Sequence, residues 1–162
     1  MTTRRAAGKT SISVVAQLSD FSNQLELKDH RPLVMMVEDD PAVAEMYKMG
    51  LEFAGFEVVA HEDGSAFFAA LENQIPDVVI LDFHLKGLLT GIDIAENLRL
   101  DERFGQLPVF FLSNDYSNLN GQVDRAFAAG VLAWLAKSRT NPSQLAARIT
   151  QALSYSTAEE RG

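Results

Sequence analysis

Short apolar runs alternate along this chain with longer stretches in which apolar residues recur every three or four positions. The clearest run covers residues 78–82 and reads V-V-I-L-D, so that four apolar residues lead directly into an aspartate. Its short length and its β-branched residues are typical of a strand. Because the run is apolar on both faces, it is predicted to lie at the centre of a parallel sheet that is covered on each side.

Four similar runs are predicted to be strands, at residues 33–37, 56–60, 108–112 and 131–135. Apolar residues at helical spacing, together with Gly and Pro at several boundaries, predict helices between and after these strands. The predicted helices cover residues 41–54, 64–71, 91–100, 117–129 and 142–153. The residues after the last predicted helix, 154–162, are polar.

Five strands that alternate with five helices predict an α/β fold with a parallel sheet and right-handed crossovers. For five strands we expect the doubly wound order 2-1-3-4-5, with helices on both faces of the sheet. In this order strands 1, 3 and 4 are neighbours, and strand 5 lies beside strand 4. Their carboxyl ends would bring together five polar residues, which are Asp39, Asp40, Asp82, Ser113 and Lys137.

These five side chains together fit a metal-dependent phosphoryl site. Three carboxylates that lie close together repel one another at low dielectric unless a cation is bound, and Mg²⁺ prefers oxygen ligands. The metal ion would bind one oxygen of a phosphoryl group, Lys137 would pair with a second oxygen, and Ser113 would donate a hydrogen bond to the third. Asp82 would be the nucleophile that forms an aspartyl phosphate.

Each of the five residues alone also has an ordinary structural interpretation. Asp39 and Asp40 could cap the following helix, while Asp82 and Ser113 are residue types that are common in turns. Lys137 alone could be a solvated lysine. The placement of all five residues at strand ends favours the functional interpretation.

Composition narrows the class of protein. The chain has 162 residues, no cysteine and a formal net charge of −8. The excess of acidic residues argues against binding to nucleic acid, and the absence of cysteine excludes disulfides and cysteine-ligated metals. No apolar run approaches the ~20 residues that a membrane span requires. We therefore expect a cytoplasmic protein that binds neither DNA nor membranes.

The first 31 residues are predicted to be an extension that precedes the α/β domain. Residues 1–19 are basic, rich in Ser and Thr, and contain no acid before Asp20. This composition fits a transit peptide, although a disordered or helical arm is the preferred interpretation. An amphipathic helix is suggested by apolar residues at helical spacing, which are Val14, Leu18, Phe21 and Leu25. The domain is assigned to residues 32–155 and a tail to 156–162.

The ordered set of strand-end residues resembles the receiver domains of two-component response regulators over about residues 32–155. E-D-D-P follows strand 1, and Asp82, Ser113 and Lys137 follow strands 3, 4 and 5 in turn. The resemblance implies a flavodoxin-like, CheY-like fold. It also implies that Asp82 accepts a phosphoryl group from a sensor histidine kinase or a histidine phosphotransfer protein.

The same resemblance implies roles for further residues. Mg²⁺ would be held by Asp39, Asp40, Asp82 and the backbone carbonyl of His84. The switch would be formed by Ser113 and by Trp134, three residues before the lysine.

A protein of this kind is a signalling switch of the stand-alone, single-domain type rather than an enzyme, and it catalyses only its own phosphorylation and dephosphorylation. Its output would be protein–protein contact with an unidentified downstream protein. A homodimer through helix 4, strand 5 and helix 5, or through the N-terminal helix, is a further expectation. The alternative function is that of a receiver-like adaptor that works without phosphorylation.

Several positions depart from the family pattern. Ser138 stands where a proline usually follows the lysine, and Asn114 stands where a small residue usually follows the switch hydroxyl. Leu85 and Lys86 replace a common Met-Pro pair, and Gly91 comes about one residue late. The loop between strand 3 and helix 3 is therefore predicted to have an unusual shape.

Overall fold

The computed structural model describes residues 30–114 and 121–159, and five parallel strands form one sheet in this part of the chain. The strands are β1 (Leu33–Val37), β2 (Glu57–His61), β3 (Val78–Asp82), β4 (Val109–Ser113) and β5 (Val131–Ala136). Their order is β2-β1-β3-β4-β5, which confirms the predicted doubly wound fold. The strand ends differ from the predicted ones by at most one residue.

Helices connect successive strands, as their alternation with apolar runs predicts. They are α1 (Pro41–Phe53), α2 (Gly64–Leu71), α3 (Gly91–Leu100), α4 (Gln122–Ala128) and α5 (Pro142–Glu159). Short 3₁₀ turns cover Glu102–Phe104 and Lys137–Arg139. Within the described part of the chain, none of the helices is long and apolar enough to cross a membrane.

Two hydrophobic clusters pack on opposite faces of the sheet. Side chains alternate between the faces along each strand, so Met35 and Met36 of β1 enter different clusters. One cluster includes residues of α2, α3 and α4, and the other includes residues of α1 and α5. The central strands β1, β3 and β4 are buried throughout, which explains their nearly continuous apolar sequences.

The last helix is longer than predicted. The sequence pattern predicts an end at residue 153, but the helix continues to Glu159. The polar residues after Leu153 include neither Gly nor Pro within the helix, and the Ser154 hydroxyl donates to the Thr150 carbonyl one turn earlier. Polarity alone therefore does not end this helix, because one helical face can remain in water. Residues 160–162 lie outside the described part.

Two other predictions concern residues that the structure does not describe. The N-terminal extension and its apolar positions precede residue 30. The first part of the predicted helix 117–129 also lies outside the described residues, and α4 begins at Gln122 after Gly121, which has φ +77°.

Candidate functional site

Asp82 is the last residue of the central strand β3, and its side chain is buried. The backbone N–H of His84 donates to Oδ1 of Asp82 at 3.2 Å. On the other side, a Cβ atom at Gly91 would overlap the carbonyl oxygen of Asp82. The start of α3 is thus packed directly against the backbone of Asp82, and only glycine fits at Gly91 without a shift of one of them.

Three carboxylates converge at the carboxyl edge of the sheet. Glu38 and Asp39 directly follow β1, and Asp82 ends the neighbouring strand β3. Each residue offers one carboxylate oxygen, and these three oxygens lie within 4.8 Å of one another. Hard oxygen ligands at this spacing suit a divalent cation such as Mg²⁺.

Asp40, which was predicted as a metal ligand beside Asp39, lies outside this group of three. Its Oδ1 accepts hydrogen bonds from the backbone N–H groups of Ala42 at 2.9 Å and Val43 at 3.2 Å. It is therefore the N-cap of α1, with Pro41 in the first helical turn. Glu38, which was not predicted as a site residue, is the third member of the group.

Lys137 connects two of the three carboxylates. Its Nζ lies 2.6 Å from Oε2 of Glu38 and 3.3 Å from Oδ1 of Asp82, and all three side chains are buried. Burial raises the pKa of the Glu38 carboxyl, while the hydrogen bond with Lys137 acts in the opposite direction. A buried ammonium that touches two carboxylates reduces the repulsion between them.

Ser113 is fully buried at the end of β4. In the sheet register Asp82 lies beside Leu112, and Ser113 lies beside Ala136 of β5. Ser113 is therefore one residue beyond the level of Asp82 on the adjacent strand and directly precedes the level of Lys137. The structure thus places Asp39 beside Asp82 in the carboxylate group and Lys137 in contact with Asp82. Ser113 lies at the same edge of the sheet.

Trp134 is half-buried on β5 and belongs to a cluster of three aromatic rings. Its ring centroid lies 4.5 Å from that of Phe83 and 5.2 Å from that of Phe111. Phe83 directly follows Asp82, so the tryptophan touches the residue next to the central carboxylate. Phe83 and Phe111 were not predicted as partners of the tryptophan, because apolar residues at these positions also fit an ordinary core.

The loop after β3 contacts the acidic group through Lys86. The Lys86 backbone N–H donates to Oδ2 of Asp39 at 3.1 Å, and its Nζ lies 4.0 Å from the same oxygen. His84 lies in this loop with an exposed side chain, and its ring centroid lies 4.6 Å from that of Phe83 in a T-shaped arrangement. The role of the His84 carbonyl as a ligand stays a prediction.

These features define a doubly wound α/β domain with three clustered carboxylates and a buried lysine at the carboxyl edge of its sheet. The family model for the response regulator receiver domain matches residues 34–150. The chain belongs to the response regulator receiver domain family.

Individual relatives support this assignment. Over 86 residues the chain is 41% identical to the probable transcriptional regulatory protein TcrX of Mycobacterium tuberculosis, covering 52% of this chain and 36% of TcrX. It is 39% identical over 71 residues to the DNA-binding response regulator MtrA of Mycolicibacterium smegmatis, covering 44% of this chain and 31% of MtrA. The alignments therefore span only about a third of these relatives.

Among solved structures, the chemotaxis response regulator CheY4 of Vibrio cholerae is similar, with a TM-score of 0.67 and 25% sequence identity. This match covers 76% of the present chain and 99% of the CheY4 chain. The curated relatives thus extend well beyond the matched region, whereas the CheY4 chain is matched almost completely.

Proposed function

We propose that this receiver protein accepts a phosphoryl group on Asp82 in a two-component phosphorelay. The observation that carries the proposal is the position of the Asp82 carboxylate, within 4.8 Å of oxygens of Glu38 and Asp39 and 3.3 Å from the ammonium of Lys137. Within the described residues, both polar contacts of Asp82 are made by Oδ1. Its Oδ2 is then available to form the bond to phosphorus.

In the proposed reaction, a carboxylate oxygen of Asp82 attacks the phosphorus atom of a phosphohistidine. The P–N bond breaks as the P–O bond forms, and the imidazole nitrogen leaves with the electron pair of the broken bond. Lys137 pairs with the negative charge on the transferred oxygens. Catalysis of this kind depends on position and on charge neutralisation rather than on covalent chemistry by other residues.

The cluster of three carboxylates fits Mg²⁺, because it offers three hard oxygen ligands at one partly accessible edge of the sheet. Glu38, Asp39 and Asp82 would hold the ion, with the His84 carbonyl as an additional ligand. When bound, Mg²⁺ would neutralise the carboxylates and the phosphoryl oxygens. Asp40 is excluded from the proposed ligand set, because it caps α1.

Ser113 and Trp134 are proposed to transmit the effect of phosphorylation from Asp82 to the protein surface. The Ser113 hydroxyl would donate to a phosphoryl oxygen, and Trp134 would change its packing against Phe83. The affected surface would include α4 and β5, where Phe127 and Leu132 are exposed apolar residues. Such a surface suits output by protein–protein contact, with a downstream protein or a second copy of this chain.

The proposed phosphodonor is a sensor histidine kinase or a histidine phosphotransfer protein. The match to the CheY4 chain lies on the receiver domain, which is assigned to residues 32–155. The role proposed for this domain is that of a switch that catalyses only its own phosphorylation and dephosphorylation. The name of MtrA describes DNA binding, but the present chain matches only 31% of that protein. We therefore propose no DNA-binding role for this domain.

The test is incubation with acetyl phosphate and Mg²⁺, followed by intact-mass measurement. Wild type should gain the mass of one phosphoryl group, whereas Asp82→Asn and wild type with EDTA should gain none. Asp40→Asn is the matched control in the acidic run, and it should be phosphorylated like wild type. Equal phosphorylation of Asp82→Asn and wild type would refute the proposal.

One observation favours a second candidate function, that of an adaptor that works without phosphorylation. Lys137 and Lys86 already provide positive charge to all three carboxylates of the site. Two ammonium groups thus offset part of the negative charge of the three carboxylates without a metal ion. An adaptor would show no mass gain with acetyl phosphate, and its binding to a partner would not depend on Mg²⁺.

A further inference from the structure

Lys86 approaches one carboxylate oxygen with two groups, its neutral backbone N–H and its charged ammonium. Its backbone N–H donates to Oδ2 of Asp39 at 3.1 Å, and its ammonium Nζ lies 4.0 Å from that same oxygen. The Asp39 side chain is only 12% exposed, whereas the Lys86 side chain is 91% exposed. A solvated lysine side chain thus reaches back to a largely buried acid.

The two lysines of the site divide the carboxylates between them. The ion pairs of Lys137 involve Glu38 and Asp82, and the ion pair of Asp39 involves Lys86. Lys137 is buried and makes the shorter contacts. The Lys86 side chain is exposed, so its ammonium can move into water at little cost, and it is the cation that another can displace from Asp39.

We propose that the ammonium of Lys86 is an internal counter-cation that competes with Mg²⁺ at Asp39 and so weakens the affinity of the site for the metal. The inference rests on the proposed function, because it assumes that Asp39 is a metal ligand. Two cations near one carboxylate repel each other, and the divalent ion is attracted more strongly to the three carboxylates than the single charge of Lys86 is. Metal binding then releases the Lys86 ammonium into water.

This competition links the metal to the loop between β3 and α3. Lys86 lies in that loop beside Gly87, which has φ +150°, and Leu88, which is fully exposed. The backbone N–H of Lys86 can stay on Asp39 because a carboxylate accepts several hydrogen bonds. Substitution of the side chain therefore tests the ammonium and leaves the backbone contact in place.

The effect on Mg²⁺ affinity should be modest. Exposed ion pairs contribute little, so removal of the charge should tighten Mg²⁺ binding by about two- to five-fold. The effect should shrink at high ionic strength, because the Debye length falls to about 3 Å at 1 M salt and exposed charges farther apart than this are screened.

The test is calorimetric titration of metal-free protein with Mg²⁺. Lys86→Gln should bind Mg²⁺ about two- to five-fold more tightly than wild type, and Lys86→Arg, which keeps the charge, should bind like wild type. The matched control is Lys48→Gln. Lys48 lies on α1 and lines a cavity that Asp39 borders, so this variant removes the same charge nearby. Unchanged or weaker binding by Lys86→Gln, or equal tightening by Lys48→Gln, would overturn the inference.

A second readout separates competition from a merely structural role. In EDTA, Lys86→Gln should unfold at a lower temperature than wild type, because Asp39 loses its counter-charge. Saturating Mg²⁺ should raise the unfolding temperature of Lys86→Gln more than that of wild type, since tighter ligand binding stabilises the folded state more. Equal shifts in both proteins would contradict competition.

Failure of the inference is distinguishable from failure of the proposed function. If wild type is phosphorylated on Asp82 but Lys86→Gln has wild-type Mg²⁺ affinity, only the inference fails. If neither protein binds Mg²⁺, both fail. If Lys86→Gln binds Mg²⁺ and wild type does not, the competition is supported and is stronger than expected.

Discussion

The Nζ atom of Lys137 lies 2.6 Å from Oε2 of Glu38, which is closer than the 3.3 Å to Oδ1 of Asp82. The buried lysine therefore joins the ends of β1 and β3 through carboxylates on both strands. Glu38 is as much a part of the site as Asp82, although its neighbour Asp40 looks equally suitable in the sequence. The contrast between Glu38 and Asp40 gives a direct test of the site.

The first prediction compares these two acids. Loss of even an outer partner of a metal site typically lowers metal affinity by about 10-fold or more. Glu38→Gln should therefore weaken Mg²⁺ binding by at least about 10-fold, and phosphorylation at limiting Mg²⁺ should slow accordingly. Asp40→Asn should leave both unchanged, because asparagine also caps helices well. Calorimetry and intact mass measure the two effects.

The comparison also has a stability arm. Asp40→Ala removes the cap of α1 and should lower the free energy of unfolding by about 1 kcal/mol, as measured by urea denaturation. Its Mg²⁺ affinity should remain that of wild type. Loss of Mg²⁺ binding in Asp40→Asn with retention in Glu38→Gln would show that the acidic pair has been assigned incorrectly.

The second prediction concerns the contact between Gly91 and Asp82. A Cβ atom at Gly91 would overlap the Asp82 carbonyl oxygen, so either α3 or the end of β3 must shift in Gly91→Ala. We expect the free energy of unfolding to fall by about 1–3 kcal/mol, and phosphorylation to slow because Asp82 moves. Chemical denaturation and the rate of mass gain measure these effects.

Gly105→Ala is the matched control for that substitution. Gly105 has helical backbone angles, and the nearest atom to its added Cβ would be 3.7 Å away. This variant should keep the stability and phosphorylation rate of wild type. Equal effects at Gly91 and Gly105 would show that the close approach to Asp82 is unimportant.

The third prediction uses the only tryptophan in the chain. Trp134 packs on Phe83 and Phe111, so Phe83→Ala should expose the indole and shift its fluorescence emission to longer wavelength. Phe53→Ala is the control, because Phe53 is 96% exposed on α1 and should not affect the emission. An unchanged spectrum in Phe83→Ala would mean that Phe83 does not hold Trp134.

The fourth prediction is a pH dependence at the start of α3. The Thr90 backbone N–H and hydroxyl donate to Oδ2 of Asp93 at 2.8 and 2.7 Å, and these bonds hold the pKa of Asp93 below its ordinary value of 3.8. A lowered folded-state pKa gives stability that is present above pH 3.8 and is lost as the pH falls through the folded-state pKa. Asp93→Ala should therefore be less stable than wild type by about 1 kcal/mol at neutral pH.

Urea denaturation of wild type and Asp93→Ala at neutral and acidic pH measures this effect. The difference in the free energy of unfolding should shrink as the pH falls below the folded-state pKa of Asp93. A difference that does not change with pH would show that Asp93 stabilises α3 by packing rather than by its charge.

The strands and their order could be predicted because each central strand is a short apolar run on both faces. With that order, the placement of Asp82, Ser113 and Lys137 at one edge follows, since parallel strands end at the same edge. The residue-level assignment of the acidic pair does not follow in the same way. Three successive acids follow β1, and the strand pattern alone does not distinguish the metal ligands among them from the acid that caps α1.

One signal in the sequence could have resolved that choice. Pro41 favours the first helical turn, which makes Asp40 the N-cap and commits its carboxylate to the backbone N–H groups of α1. The contact of Lys86 with Asp39 had no such signal. It depends on the path of the loop after β3, where neither strand nor helix periodicity applies.

The location of the phosphoryl group tests the central proposal most directly. Protein treated with acetyl phosphate and Mg²⁺ can be reduced with borohydride, which converts a phosphorylated aspartate into homoserine, and then digested and sequenced by mass spectrometry. We predict conversion at Asp82 and at none of Glu38, Asp39 and Asp40. Conversion at another carboxylate, or no conversion while the folded protein binds Mg²⁺, would contradict the proposal.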